Sequence, residues 1–336
     1  MTNKEWIKLT LAHEETGAVP YNALCCPTAR KRLEEYYHTD NLIGHINLPI
    51  RMGGASSIKP LYADPAIYGD TITDEYGVLW TTNTIDRGSP IGPSLREPDL
   101  SNYAFPDPTA AYRFEGLSQW CEENKEHYTI LWVGDLWERA TFMRGMEDVL
   151  LDVALNRSFV EELLERLADN ILRTMEIYFA SGEFDGIAVS DDYGAQRGML
   201  TSPNDWRELV KPQLARIYDL GKQHGKTVFH HSCGSFVPVI PDMIEIGLDI
   251  LHPIQPEAMD IDMLKREFGK DLTFCGGLRT QDLLPLASPE EIRKEIRRLK
   301  KTMGAGGGYI LEPGITVQDD VPLENLIAMV EEMQAQ

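Results

Sequence analysis

The regular alternation of short apolar segments and helical patterns from about residue 128 onward is the feature that most constrains the fold. Six apolar segments predict strands, at residues 128–134, 186–190, 227–231, 248–252, 272–275 and 308–311. Helical periodicity separates or follows them, at residues 146–179, 203–224, 238–246, 263–268, 289–303 and 323–333. Strands that are apolar on both faces and joined through helices predict a parallel sheet covered by helices, and therefore an α/β fold.

The number of strands favours a closed barrel over an open sheet. Two further strands are predicted upstream, at residues 18–24 and 42–48, which makes eight and indicates a (β/α)8 TIM barrel. A dinucleotide fold has no support, because no Gly-x-Gly-x-x-Gly motif follows the first strand. We expect residues 1–336 to form a single barrel domain.

One region does not follow the alternation. Residues of about 51–110 are rich in Gly, Pro, Asp and Tyr and predict an insertion of hairpins and loops. Such an insertion over the mouth of a barrel is typical of a lid.

Charge and composition exclude several classes of partner. The chain has 53 acidic and 32 basic residues, a net charge of −21, and no Lys/Arg cluster interleaved with aromatic residues. Nucleic acid and anionic membranes are therefore excluded as expected partners. The N-terminus lacks the basic-then-apolar order of a signal peptide and no long uncharged apolar stretch occurs, so we expect a cytoplasmic protein. The odd number of cysteines, 5, predicts free thiols or metal ligands instead of disulfides.

Polar side chains follow most of the predicted strands at their carboxyl ends, where barrel enzymes place their active sites. These residues are Asp135, Asp191, Asp192, Tyr193, His231, Cys233, His252, Gln255, Cys275 and Glu312. Any one of them taken alone fits capping or a loop hydrogen bond. Their recurrence at strand after strand predicts a shared site.

A metal centre is predicted from the sequence His231-Ser232-Cys233-Gly234. Residues two apart on a strand face the same side, so the His231 imidazole and the Cys233 thiolate can converge on one ion. Cys275 completes a His/Cys/Cys set with an open fourth position, as catalytic zinc requires. The alternative is a buried thiol beside a hydrogen-bonded core histidine.

These residues, in this order, resemble the uroporphyrinogen decarboxylase superfamily, specifically its branch of cobamide-dependent methyltransferases. Residues 231–234 match the zinc-binding His-x-Cys-Gly of that branch, and residues 308–314 with 321–325 match the last strand and helix of the family. Residues 74–77 with Trp80 resemble the acidic-aromatic-Gly segment of the family. The resemblance covers nearly the whole chain.

The sequence departs from the family in two places. No Arg-rich loop like that of the true decarboxylases occurs between residues 22 and 37, although Arg30 and Arg32 lie there in a helical pattern. The methyltransferases carry a third zinc ligand, a Cys, just after the final Pro-Gly, where this chain has Ile315. Cys275 is the expected replacement and Glu312 the better acidic candidate, whereas Asp205 fits a capping box.

The resemblance implies a zinc-dependent methyltransferase that moves a methyl group from a methoxylated small molecule, with an aromatic ring as the expected carrier, to the cobalt of a corrinoid. The corrinoid is expected on a separate protein, since the chain has no Asp-x-His-x-x-Gly motif. The expected zinc ligands are His231, Cys233 and Cys275. The expected catalytic residues are Asp191, Asp192, Tyr193 and Glu312. The expected substrate-binding residues are Trp80, Tyr76, Asp135 and Gln255.

Three alternatives stay open. A thiol methyltransferase would run from a methyl-corrinoid to a small thiol such as coenzyme M. A cofactor-free decarboxylase would act on a porphyrinogen. A barrel that binds a ligand without chemistry would explain the missing Cys at position 315.

Overall fold

The structure, a computed structural model that describes residues 1–335, contains a seven-stranded sheet. The order of its strands, β1-β5-β6-β9-β10-β11-β12, is also their order along the chain. The strands, including the small sheets, are β1 Ile50–Gly54, β2 Thr71–Thr73, β3 Leu79–Thr81, β4 Pro90–Gly92, β5 Tyr128–Gly134, β6 Gly186–Ser190, β7 Gly194–Ala195, β8 Gly198–Met199, β9 Thr227–His231, β10 Ile250–Ile254, β11 Thr273–Leu278 and β12 Tyr309–Pro313. The predicted α/β class is confirmed.

Helices follow most of the sheet strands and cover them. Their bounds are α1 Asn3–Leu11, α2 Pro27–Tyr37, α3 Leu42–His45, α4 Pro65–Tyr68, α5 Leu117–Glu123, α6 Trp137–Arg144, α7 Met146–Leu155, α8 Arg157–Ser181, α9 Pro203–Asp205, α10 Lys211–Gln223, α11 Ile240–Glu245, α12 Ile261–Phe268, α13 Leu283–Leu286, α14 Pro289–Thr302 and α15 Leu323–Gln334. A π-helical turn, Trp206–Val210, joins α9 to α10. Within the described residues, no helix has the length and apolar character needed to cross a bilayer.

The described chain divides into two compact units. The first contains residues 1–51, 126–129 and 249 onward, and the second contains residues 52–125 and 130–248.

In the second unit, β5 pairs with β6 and β6 with β9, both in parallel. Buried side chains of α8 pack the core of this unit, among them Leu163, Leu167 and Met175. The predicted insertion contains β2, β3 and β4, which form an antiparallel sheet, and a hairpin of β7 and β8 follows β6.

In the first unit, β10, β11 and β12 pair in parallel. The predicted first strand, residues 18–24, takes the form of isolated parallel bridges, including one between Tyr21 and Leu311 of β12. The backbone N–H of Leu311 donates to the Pro20 carbonyl, and the N–H of Asn22 donates to the Leu311 carbonyl. This segment therefore extends the parallel order of the unit beyond β12.

The strand predicted at residues 42–48 is wrong. Asn41 caps the short helix α3 there, because its side-chain oxygen accepts a hydrogen bond from the Gly44 N–H at 2.9 Å. The strand begins later, as β1 at Ile50. Asn is a preferred N-cap residue, and its capping hydrogen bond favours a helix although the apolar composition of the segment favours a strand.

The last three strands lie further along the chain than predicted. β11 continues through Gly276 and Gly277, whose φ angles are +123° and +95°, and β10 contains Pro253. In the sequence such residues indicate the end of a strand. His252 and Cys275, the last residues of their predicted strands, and Glu312, which follows its predicted strand, consequently lie inside β10, β11 and β12.

Candidate metal centres

The first cluster of metal-binding side chains contains Asp192, His231 and Cys233, and its donor atoms all lie within 4.8 Å of one another. His231 Nε2 is 3.6 Å from Asp192 Oδ1 and 3.5 Å from Cys233 Sγ. The His231 and Asp192 side chains are 22% and 30% exposed, so the cluster is reachable from solvent.

Strand register builds this cluster. Ser190 of β6 pairs with His231 of β9, so the two strands end side by side. The next backbone N–H, that of Asp191, donates to the His231 carbonyl at 2.8 Å. One residue further, Asp192 Oδ1 accepts from the Cys233 N–H at 2.7 Å, which orients the carboxylate toward the other two side chains.

A glycine allows the chain to turn directly after Cys233. Gly234 has a φ of +77°, and a Cβ there would collide with the backbone of Gly194 at the start of the β7–β8 hairpin. The Ser235 N–H then donates to the Ala195 carbonyl at 2.9 Å. The loops after β6 and β9 are thus held together by contacts that only glycine permits.

Two of the predicted catalytic residues, Asp191 and Tyr193, flank Asp192 in the chain and are buried. Asp191 Oδ1 accepts from the backbone N–H groups of Leu136 and Glu138, at 2.8 and 2.9 Å, and Oδ2 accepts from the Tyr193 hydroxyl at 2.9 Å. Burial raises the pKa of Asp191 well above its ordinary value, although these hydrogen bonds oppose the shift. Their position indicates that they support the start of α6.

Glu138 and Arg87 belong to the site and have no signal in the sequence. Arg87 Nη2 donates to Glu138 Oε1 at 2.7 Å, and the Ser190 hydroxyl lies 3.3 Å from Glu138 Oε2. Burial raises the pKa of Glu138 to about 7; Arg87 opposes the shift, and the negative charge of Asp192 adds to it. Arg87 comes from the insertion, so no strand-end rule would have found this pair.

Burial favours the neutral forms of both His231 and Cys233. It lowers the pKa of His231, and the charge of Asp192 opposes that effect. It also raises the pKa of the Cys233 thiol, with further contributions from Asp192 and Glu138. A neutral imidazole is the metal-binding form of histidine, whereas a thiol must lose its proton on binding.

The donor chemistry and spacing of the first cluster fit a zinc ion. Zinc–ligand bonds of about 2.0–2.3 Å at tetrahedral angles place ligand atoms about 3.3–3.8 Å apart. The two separations from His231 Nε2, 3.5 and 3.6 Å, lie in that range. Nitrogen, sulfur and carboxylate oxygen are all zinc ligands, and three of them leave a fourth position open.

Three predicted substrate-binding residues lie in a network around Arg139. This guanidinium pairs with Asp135 at 3.0 Å and with Asp74 at 2.8 Å, and it lies 4.5 Å from the centre of the Tyr76 ring. Asp74 also accepts from the Trp80 indole N–H at 2.9 Å. Trp80 is buried, 3% exposed, which places it in the packing of the insertion.

An aromatic wall lies beside the cluster. The Trp132 ring is 6.4 Å from the His231 ring, edge to face, and 5.9 Å from the Phe229 ring. Trp132 is half-buried and lies in β5, two residues before its last residue, Gly134. A planar apolar group near His231 would meet this indole.

Cys275, the predicted third zinc ligand, belongs to another cluster, with His252 and Glu312. Its thiol donates to Glu312 Oε2 at 2.9 Å, and His252 Nε2 lies 3.5 Å from the same oxygen. Asn22 Nδ2 donates to Glu312 Oε1 at 2.9 Å. Burial raises the pKa of Glu312 to about 7. The three zinc ligands predicted from sequence are thus divided between two clusters.

Gln255, predicted to bind substrate, directly follows β10 and is buried. Its amide Nε2 donates to the Gly314 carbonyl at 3.5 Å, so it contacts the loop after β12.

Comparisons with known proteins agree with this architecture. The sequence profile of the family described as Uroporphyrinogen decarboxylase (URO-D) matches residues 85–336. Uroporphyrinogen decarboxylase of Psychromonas ingrahamii is 26% identical over 257 residues, which cover 70% of this chain and 68% of that protein. The corresponding protein of Thermus thermophilus is 29% identical over 178 residues, which cover 52% of this chain and 49% of the relative.

Among solved structures, a methyltransferase from Methanosarcina mazei superposes with a TM-score of 0.73 over 99% of this chain and 98% of that one, at 17% identity. This likeness shows a shared fold.

Proposed function

The chain belongs to the uroporphyrinogen decarboxylase family, and from this premise we propose that it is a zinc-dependent methyltransferase. Its substrate is a methoxylated small molecule with an aromatic ring, and the methyl acceptor is the cobalt of a corrinoid carried by a separate protein. The observation that carries this proposal is the convergence of Asp192, His231 and Cys233 at one solvent-reachable position. A porphyrinogen decarboxylase without a cofactor has no use for such a set of donors.

The proposed zinc ligands are Asp192, His231 and Cys233, with the fourth position for the substrate. Asp192 takes the place that Cys275 has in the prediction from sequence, because its carboxylate lies 3.6 Å from His231 Nε2. Zinc bound there would act as a Lewis acid toward the ether oxygen. As the methyl–oxygen bond breaks, the electron pair stays on that oxygen, which leaves as a phenolate and takes up a proton.

Glu138 is the residue best placed to hold that proton. Its pKa of about 7 keeps part of the population protonated at neutral pH, and Arg87 fixes one carboxylate oxygen at 2.7 Å. A general acid with a pKa near the working pH is the most effective kind. Asp191 and Tyr193 have a positioning role, since Asp191 accepts a hydrogen bond from the Glu138 backbone N–H and thereby holds Glu138 in place.

The Trp132 indole supports an aromatic substrate, since it lies edge to face against the His231 ring and offers an aromatic surface beside the cluster. Arg87 belongs to the insertion of about residues 51–110, and its salt bridge to Glu138 connects that segment to the site. A segment connected in this way can open for the corrinoid partner and close for the transfer. The fold likeness to the Methanosarcina mazei methyltransferase is consistent with this activity.

Porphyrinogen decarboxylation is the second candidate, because the relatives at 26% and 29% identity are named uroporphyrinogen decarboxylases. The basic residues of α2 do not favour it. Arg32 donates to the backbone carbonyls of Val321 and Asp319, at 2.8 and 3.0 Å, and Arg30 pairs with Glu34 on the same helix. These guanidinium groups already have partners within the chain.

Methyl transfer can be tested with purified zinc-loaded protein, a methoxybenzoate and chemically reduced cobalamin as the acceptor. We expect methylcobalamin and the corresponding phenol in equal amounts. His231→Ala, Cys233→Ala and Asp192→Asn should each lower the rate of methyl transfer by more than about 100-fold. Loss of a residue that only hydrogen-bonds to a metal ligand typically costs about 10–100-fold in activity. Cys121→Ala, at a buried cysteine outside both clusters, serves as the matched control and should retain activity.

The same assay separates the alternatives. Transfer that survives removal of the metal contradicts the proposal. Methylation of coenzyme M from methylcobalamin, without reaction of the ether, would indicate the thiol methyltransferase. Release of CO₂ from uroporphyrinogen by metal-free protein would indicate the decarboxylase.

A further inference from the structure

The cluster of His252, Cys275 and Glu312 lies within the first unit and takes no part in the proposed reaction. It joins three neighbouring parallel strands, since each residue comes from one of β10, β11 and β12. All three side chains are buried: Cys275 is 0% exposed, and the His252 and Glu312 side chains are 9% and 4% exposed. Buried groups of this kind are normally paired with an opposite charge or a metal.

We propose that His252, Cys275 and Glu312 bind a second zinc ion, separate from the one at Asp192, His231 and Cys233. Imidazole, thiolate and carboxylate are together a zinc donor set. One thiolate and one carboxylate balance the two positive charges of the ion, so the occupied site is neutral. A neutral assembly is the arrangement that a buried position tolerates at least cost.

The geometry agrees with this assignment. His252 Nε2 and Glu312 Oε2 are 3.5 Å apart, within the about 3.3–3.8 Å expected between tetrahedral zinc ligands. Cys275 Sγ and Glu312 Oε2 are closer, 2.9 Å, a hydrogen-bond distance that must lengthen by less than 1 Å when the thiol proton is replaced by a metal.

Asn22 supplies the outer support that metal sites require. Its amide Nδ2 donates to Glu312 Oε1 at 2.9 Å and leaves Oε2 directed toward Cys275 and His252. Such outer hydrogen bonds fix the orientation of a coordinating carboxylate. Asn22 lies in the segment that pairs with β12, so a bound ion would connect four neighbouring segments of the first unit.

A nucleophilic role for Cys275 is less compatible with the structure. Its sulfur is fully buried, and its hydrogen-bond partner is a carboxylate, which disfavours the thiolate. The His231 and Asp192 side chains of the first cluster are 22% and 30% exposed, whereas the His252 and Glu312 side chains of the second are 9% and 4% exposed. We therefore assign the second site a structural role.

Zinc stoichiometry tests the assignment. Protein stripped with a chelator, reloaded with ZnCl₂ and desalted should retain two zinc ions per chain. Cys275→Ser and Glu312→Gln should each retain one, and the double variant His231→Ala/Cys233→Ala should also retain one. The triple variant His231→Ala/Cys233→Ala/Cys275→Ser should retain none. Cys121→Ala should keep two, and cooperative unfolding verifies that each variant is folded.

Cobalt gives an independent readout. In the His231→Ala/Cys233→Ala background, Co²⁺ should produce a thiolate-to-cobalt charge-transfer band that disappears on adding Cys275→Ser. Equal zinc content in wild type and Cys275→Ser, or no such band in the double variant, would overturn the second site. Because these readouts do not involve methyl transfer, the second site and the proposed function can fail separately.

Discussion

Burial, more than neighbouring charge, sets the state of single side chains around Asp192, His231 and Cys233. Glu138 has an Arg87 guanidinium at 2.7 Å, yet its pKa is raised to about 7 because desolvation outweighs the ion pair. Asp191 follows the same rule despite accepting three hydrogen bonds. Glu138, with a pKa of about 7, is consequently a partly protonated carboxyl group near neutral pH beside the proposed reaction site.

The raised pKa of Glu138 predicts a specific pH dependence of stability. A carboxyl group whose pKa is higher in the folded state than in the unfolded state stabilises the folded state most at pH values below its unfolded-state pKa, near 4.5. This stabilisation is lost as the pH rises through the folded-state pKa of about 7. In metal-free protein, the free energy of unfolding of wild type relative to Glu138→Gln should fall by about 3 kcal/mol across that window. Urea unfolding at a series of pH values measures this difference. Parallel profiles for the two proteins would contradict the prediction.

At the scale of elements, the site depends on two loops that follow paired strands. β6 and β9 end together, and the loop after β9 passes so close to Gly194 that residue 234 must be glycine. The position of the cluster therefore depends on backbone contacts as much as on its three side chains. A change that separates the loops would move Asp192 away from Cys233.

Gly234→Ala tests this dependence, and Gly225→Ala is its matched control. Both glycines have positive φ angles, +77° and +66°, but an added Cβ has free space only at Gly225. Gly225→Ala should cost about 1–2 kcal/mol of unfolding free energy from backbone strain alone. Gly234→Ala should cost about 2–5 kcal/mol, since collision with the Gly194 backbone adds to the strain. Equal losses in thermal or urea unfolding would show that the loop contact is unimportant.

At the scale of the whole molecule, the dominant property is negative charge. The chain carries 53 acidic and 32 basic residues, a net charge of −21. Self-repulsion of this size destabilises a compact state and is screened by salt. The acidic composition also explains why ion pairs such as Arg157–Asp205 and Lys211–Asp242 occupy many of the available basic residues.

This charge predicts that salt stabilises the protein. Raising NaCl from about 10 to 200 mM at neutral pH shortens the screening length from about 30 to below 10 Å and should raise the melting temperature by at least about 2 °C. At about pH 4.5, where many carboxylates are protonated, the same salt series should have a smaller effect. Calorimetry at the two pH values makes the comparison, and equal shifts would argue against self-repulsion.

The strands of the second unit show how far local pattern reaches. β5, β6 and β9 have the bounds that the apolar segments predict, because each is a buried strand flanked by polar or turn-forming residues. Where a capping hydrogen bond or a glycine competes with that pattern, the predicted strand is absent or its bounds differ from the observed ones. Asn41 caps a helix in the place of a predicted strand, and Gly276 and Gly277 extend β11 past its predicted end.

The amino-acid sequence by itself determined the alternation of strands and helices, the family resemblance, and the closeness of His231 to Cys233, because strand periodicity and a two-residue spacing are local properties of the chain. Only the tertiary structure decided which residues accompany them. Register between β6 and β9 brings Asp192 to His231, and register between β11 and β12 brings Cys275 to Glu312. Pairing between segments distant in sequence is a property of the folded chain and not of any local pattern. For the same reason, only the structure places Arg87 against Glu138 and Asn22 against Glu312.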